Sequence, residues 1–129
     1  MSQETQITAA QLVADAKTRT ETLTPDQVAD ELANGSAILV DLRESEERVQ
    51  NGAIEGAVHA PRGMIEFYAD PTSTYHRAEF DPNLRTILHC ASGGRSALAA
   101  DTLKQLGYTN VAHLGGGFNG WKDSGHPVE

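Results

Sequence analysis

Apolar residues recur along this chain at two different periods, and the alternation between them predicts its architecture. Ala9, Leu12, Val13 and Ala16 share one face of a helix over residues 8–18 that opens on Thr8 as its N-cap. Val28, Ala29 and Leu32 do the same behind Thr24 and Pro25, a cap and a first-turn proline, and Gly35 closes that helix. Residues 37–42, AILVDL, form instead a continuous apolar run with β-branched members, which suits a buried parallel strand. Residues 45–52 read as a third helix, capped by Ser45, with acids early and a glycine at the end.

The same punctuation continues to the C-terminus. Residues 57–60 are a brief strand stopped by Pro61, residues 63–69 suit one or two helical turns, and residues 70–85 are a long loop marked by Pro71, Ser73, Asp81 and Pro82. TILHC (86–90) is the second strong strand, with Cys90 as its last residue. Residues 95–108 are the clearest helix, with Leu98, Ala99, Thr102, Leu103 and Leu106 on one face and Gly107 as its stop. NVAHL (110–114) is a further strand, and GGGFNGWKDSG supplies a glycine-rich turn and a tail. Strands alternating with helices predict one α/β domain whose mainly parallel sheet is covered on both faces, and 129 residues suit a single core.

Composition narrows the function. With 39% hydrophobic and 22% charged residues the chain has an ordinary globular make-up, and its net charge of −8 argues against nucleic acid or an anionic membrane as partner. No apolar run approaches the roughly 18 residues of a membrane span, and the first residues lack a signal-peptide core, so the expected location is cytoplasmic. The single cysteine is either a packing residue or a nucleophile. The histidines are scattered without ligand spacing, so no metal is expected, and no cofactor.

Ligands of open α/β sheets bind beyond the carboxyl ends of the strands, which is where Cys90 falls. It is followed by Ala91, Ser92, Gly93, Gly94, Arg95 and Ser96, a small-residue loop able to curl and turn its N–H groups inward. That loop runs into a helix N-terminus, whose partial positive charge favours a thiolate and a nucleophilic role. Arg95 adds a cation at the rim for an anionic donor. The plainer alternative is a turn that lets strand and helix pack closely. His89 does not suit the role of base for Cys90, because adjacent strand residues face opposite ways.

Two stretches, HCASGGRSALAADTLKQLGYTNVAHLGGGFNGW and DLRESEERVQNGAIEGAVHAP, resemble the active-site and Asp-x-Arg segments of rhodanese domains. The resemblance spans roughly residues 22–127, leaving residues 1–21 as an extension with a short docking helix. It implies the rhodanese-like α/β fold, with a five-stranded sheet, and sulfur carried as a persulfide on Cys90 within the backbone of residues 91–95. A small donor such as thiosulfate would load the cysteine, and a thiol, cyanide or an acceptor protein would unload it. It also implies that Asp41 and Arg43 buttress the site. A sulfur-relay module working with a partner protein is an alternative. So is a phosphatase of the same fold, although such enzymes have five residues between cysteine and arginine and this chain has Ala91, Ser92, Gly93 and Gly94. Met64, Phe67 and Tyr68, in the long segment 62–80, would either form an apolar lip over the Cys90 loop that selects the donor or pack under a long loop.

Overall fold

The computed structural model describes residues 6–129, so residues 1–5 of the N-terminal extension lie outside the described residues. Helices α1 (Ala9–Arg19) and α2 (Pro25–Ala33) each begin on a threonine cap whose hydroxyl accepts the third residue's N–H, while that residue, Gln11 or Gln27, accepts from the cap's own amide. Between them runs β1 (Glu21–Leu23), a three-residue strand that the hydrophobic pattern does not announce because only Leu23 is buried. Then follow β2 (Ile38–Asp41), α3 (Ser45–Asn51), β3 (Val58–His59), a 3-10 turn at Arg62–Met64, α4 (Ile65–Ala69), β4 (Thr86–His89), α5 (Gly94–Gln105), β5 (Val111–Leu114) and α6 (Gly117–Asp123). The five strands pair in the order β1-β5-β4-β2-β3, and every pairing is parallel.

The central strands send alternate residues to two cores, in matching register. Val40 and Leu88 pair across β2 and β4 and join Leu42, Cys90, Ile65, Ala69, Phe80, Ala99, Ala100 and Leu103 under α4 and α5. Leu39, Ile87 and Ala112 point the other way, to Val28 of α2, Ile54, Phe118 and Trp121. Helix α1 docks on α5, where Arg19 pairs with Asp101 at 2.8 Å.

Four local expectations need correction. Helix α3 is capped by Glu44, and Ser45 is its first residue. Strand β4 ends at His89, which makes Cys90 the first residue of the loop. The buried face of α5 is Ser96, Ala97, Ala99, Ala100 and Leu103, while Leu106 is exposed. The reason is α1: with the sheet on one side and a helix on another, close approach selects alanines over leucines. The C-terminal segment is a helix, α6, despite glycines at 117 and 120, because Phe118 and Trp121 lie one turn apart and both bury in the second core.

Candidate active site

Cys90 stands where β4 gives way to α5, and the chain reverses through Ala91, Ser92 and Gly93, with Gly93 at φ 117°. That positive φ suits glycine, and it turns the Gly93 amide onto the Cys90 sulfur at 3.1 Å. The Ser96 amide, in the first turn of α5, donates to the same sulfur at 3.4 Å. Two backbone N–H groups at a helix N-terminus thus converge on Sγ, an arrangement that favours negative charge there. Cys90 is 1% exposed, whereas Ser92 is exposed and Ala91, Gly94 and Arg95 are half-buried, so the sulfur lies beneath the loop that ends on Arg95.

The loop keeps its shape because α6 holds its carbonyls. Phe118 N–H donates to Cys90 O at 2.8 Å and Asn119 N–H to Ala91 O at 3.0 Å. Gly117 lets α6 come this close, since a Cβ there would meet the backbone of Cys90 and Ala91 at 2.6 Å. With the carbonyls drawn toward α6, the amides of the same loop are free to face the sulfur.

A second strut reaches the loop from α5 and β5. Ser96 Oγ donates to Gly93 O at 3.2 Å, so it accepts from His113 Nδ1, also at 3.2 Å. His113 Nε2, 2.9 Å from Thr22 Oγ1, is then the acceptor on a neutral ring. Burial pushes His113 down to about 4, with the Lys17 charge adding to it, which agrees with that neutral form. Sequence reasoning passed over His113 because a strand histidine carries no signal until β5 aligns it with Ser96.

Asp41 and Arg43 occupy the opposite side of the sheet. Arg43 holds both Asp41 oxygens, at 3.1 and 2.9 Å, donates to Gly52 O at 2.9 Å, and lies over the Phe118 ring at 4.1 Å. Arg48 is a further cation 3.1 Å from Asp41. Burial pushes the Asp41 carboxyl up, but the Arg43 hydrogen bonds outweigh it and hold it below the usual carboxylate range. The pair therefore touches the ring of the residue whose amide anchors Cys90 O. His89 is buried beside it, with Nε2 3.7 Å from Asp41, on the face away from the Cys90 core.

Arg95 is not a free cation. It makes two parallel bonds to Glu47 of α3, Nη1 to Oε2 at 2.8 Å and Nη2 to Oε1 at 2.9 Å. Early acids in α3 are legible as helix-terminus residues, but their meeting with Arg95 is not. Of the three lip candidates, Tyr68 is half-buried against the Cys90 core with Arg77 above its ring, and Met64 is half-buried. Phe67 is exposed, edge-on to Tyr75. A cavity of about 450 Å³ opens elsewhere, over the second core between Leu32, Ile54, Trp121 and His126. Among the described residues no group of His, Cys, Asp and Glu side chains is arranged to hold a metal, and no helix is long and apolar enough to cross a membrane.

A wholly parallel α/β domain with a thiol inside an amide-lined loop at a strand's carboxyl end is the class that fold and site define together. The rhodanese-like domain model matches residues 24–124, and the chain belongs to that family. A candidate mitochondrial thiosulfate sulfurtransferase of Schizosaccharomyces pombe is 35% identical over 95 residues, which make up 68% of this chain and 65% of that protein. The chain thus spans just under two thirds of the yeast protein's length. A thiosulfate sulfurtransferase GlpE of Actinobacillus succinogenes is 33% identical, with 83% of this chain and 88% of that one aligned. A solved structure from Rhodopseudomonas palustris, described as a protein of unknown function and possible tyrosine phosphatase, superposes with a TM-score of 0.91 at 36% identity and 96% coverage of both chains.

Proposed function

We propose that this chain is a sulfurtransferase that carries sulfane sulfur as a persulfide on Cys90. The observation that carries the proposal is the pair of amides, Gly93 and Ser96, directed at the sulfur of the chain's one cysteine. Relatives named as thiosulfate sulfurtransferases support it. In the loading step the Cys90 thiolate attacks the outer sulfur of the donor. The donor's S–S bond breaks and its electron pair leaves with sulfite, when thiosulfate is the donor, or with an alkyl thiolate. The new terminal sulfur, now the anionic atom, takes hydrogen bonds from the loop amides. An acceptor thiolate or cyanide then attacks that sulfur and restores the Cys90 thiolate. Asp41 and Arg43 act as supports for the loop through Phe118. Because Cys90 is 1% exposed, the rim must move for a donor to reach it.

The test is direct. The protein incubated with a sulfane-sulfur donor should gain one sulfur atom by intact mass, lose it on addition of cyanide, and release thiocyanate. Cys90→Ser should show neither change. Absence of the adduct in the native protein removes the proposal. An adduct that forms but is not passed to small thiols favours a relay that needs a protein acceptor.

A phosphatase is the second reading, favoured by the similarity to the Rhodopseudomonas protein described as a possible tyrosine phosphatase. The short loop and the neutralised Arg95 disfavour it, since a phosphate dianion needs more room and a free guanidinium. Hydrolysis of an aryl phosphate that Cys90→Ser abolishes would reverse that order.

A further inference from the structure

The cationic side chain of the loop is already occupied. Arg95 and Glu47 form a bidentate pair, and the Glu47 carboxylate is itself pinned, since Oε2 also accepts the Glu44 amide at 2.8 Å at the start of α3. Arg95 therefore does not swing freely toward an incoming anion. No other guanidinium hydrogen-bonds to the Cys90 loop among the described residues, and each arginine has a carboxylate within ion-pair distance, with Asp41 serving two. Arg43 and Arg48 share Asp41, Arg62 holds Glu66, Arg77 holds Glu79, Arg85 holds Glu21 and Glu31, and Arg19 holds Asp101. Around them the whole chain carries a net charge of −8. A dianion approaching Cys90 meets an unfavourable long-range field and a local cation already engaged by Glu47.

We infer that Glu47 is a specificity-determining residue: by neutralising Arg95 it turns the Cys90 site away from dianionic thiosulfate and toward sulfane donors of low charge, of the alkyl persulfide class. The inference rests on the sulfurtransferase reading and deepens it. With an alkyl persulfide R–S–SH, the Cys90 thiolate attacks the terminal sulfur, the donor's S–S bond breaks, and R–S⁻ leaves with the electron pair. Cys90–S–SH is formed, and no oxidant or reductant is consumed. With thiosulfate the same attack must bring together a thiolate and a dianion and expel sulfite dianion, a step that a free cation at the rim favours. Glu47 competes for that cation.

The experiment compares second-order rate constants for Cys90 loading, followed by intact mass, with thiosulfate and with cysteine persulfide as donors at low ionic strength. Three proteins are used: wild type, Glu47→Gln, and Glu46→Gln. Gln at 47 keeps a hydrogen-bonding amide at the α3 terminus while removing the charge. Glu46 is exposed on the same helix, so its variant changes net charge equally without touching Arg95. The expected result is a wild-type preference for cysteine persulfide of about tenfold or more, and a thiosulfate constant that rises about tenfold in Glu47→Gln. The persulfide constant stays within about twofold, and Glu46→Gln leaves the donor ratio unchanged. The rise should shrink as salt is added. A wild type that loads from thiosulfate at least as fast as from persulfide overturns the inference even where Glu47→Gln does not fold. So does an unchanged donor ratio in a folded Glu47→Gln. In both cases the sulfurtransferase reading stands. Loading from neither donor removes both.

Discussion

The carbonyl oxygen of Cys90 accepts a 2.8 Å hydrogen bond from the amide of Phe118, and this contact joins the loop that holds the sulfur to a helix that begins 27 positions later. It also sets the direction of the loop. A peptide whose carbonyl is tied to α6 cannot turn that oxygen toward the sulfur, so the neighbouring N–H groups take that side.

Gly117 is where this arrangement is most vulnerable. Gly117→Ala places a Cβ at 2.6 Å from the Cys90 and Ala91 backbone, at φ 59°. The expected loss is about 2 to 4 kcal/mol in urea unfolding, combining backbone strain with displacement of α6. Gly35→Ala is the control, since Gly35 has φ 69° and open space around it, and it should cost only about 1 kcal/mol. Equal losses at the two sites would show that the contact with the loop carries no energy.

Removing the Asp41 charge strands Arg43, which is 1% exposed. Asp41→Asn should lower stability by about 3 to 5 kcal/mol, the usual consequence of an uncompensated buried charge. Chemical denaturation measures it, and a change below about 1 kcal/mol would mean that Gly52 O and the Phe118 ring satisfy Arg43 without the carboxylate.

Mild acid should act through the buried imidazoles. His113 is pushed down to about 4 from an ordinary 6.5, mainly by burial, and His89 is lowered for the same reason. Between those values the unfolded chain takes up protons that the folded chain refuses. Stability is therefore complete above about pH 6.5 and declines as pH falls toward about 4, by on the order of 2 kcal/mol for His113. His113→Asn should flatten that slope in thermal melts recorded across the window.

A second, lower window belongs to Glu47. Hydrogen bonds from Arg95 lower its carboxyl from 4.5 to about 2, against the opposing effect of burial, with the Glu44 amide assisting. A depressed carboxylate contributes its stability above the unfolded value and loses it as pH falls through the folded one, here from about 4.5 to about 2. Glu47→Gln should flatten only this lower limb, and added salt should weaken the wild-type effect because the pair is partly exposed.

The two aromatics of α4 should behave differently. Tyr68 packs against the Cys90 core while Phe67 is 50% exposed. Tyr68→Ala should cost about 3 kcal/mol and Phe67→Ala less than about 1 kcal/mol in the same unfolding assay. If Phe67 acts as a lip on the donor, its replacement should alter loading rates while leaving stability nearly unchanged.

Most of the secondary structure was legible in residue spacing. The threonine caps, the two apolar runs and the strand-loop-helix around Cys90 are local features, each set by residues within a few positions of one another. The elements that were not legible, β1 and α6, have weak local preference. Leu23 is the one buried residue of β1, and α6 contains two glycines, so both depend on a surface supplied by distant parts of the chain.

The site divides along the same line. Periodicity and small residues pointed to the cysteine and its loop, and the resemblance to rhodanese domains pointed to Asp41 and Arg43, because each of these lies within a short stretch of sequence. Which carboxylate meets Arg95 was invisible, since Glu47 lies 48 residues away and reads as a helix-terminus acid. The Ser96–His113–Thr22 chain was hidden likewise, since Thr22 and His113 lie 91 residues apart. Long-range pairings depend on sheet order and helix docking, which no local pattern encodes, and they decide whether a cation beside the sulfur is available or spent.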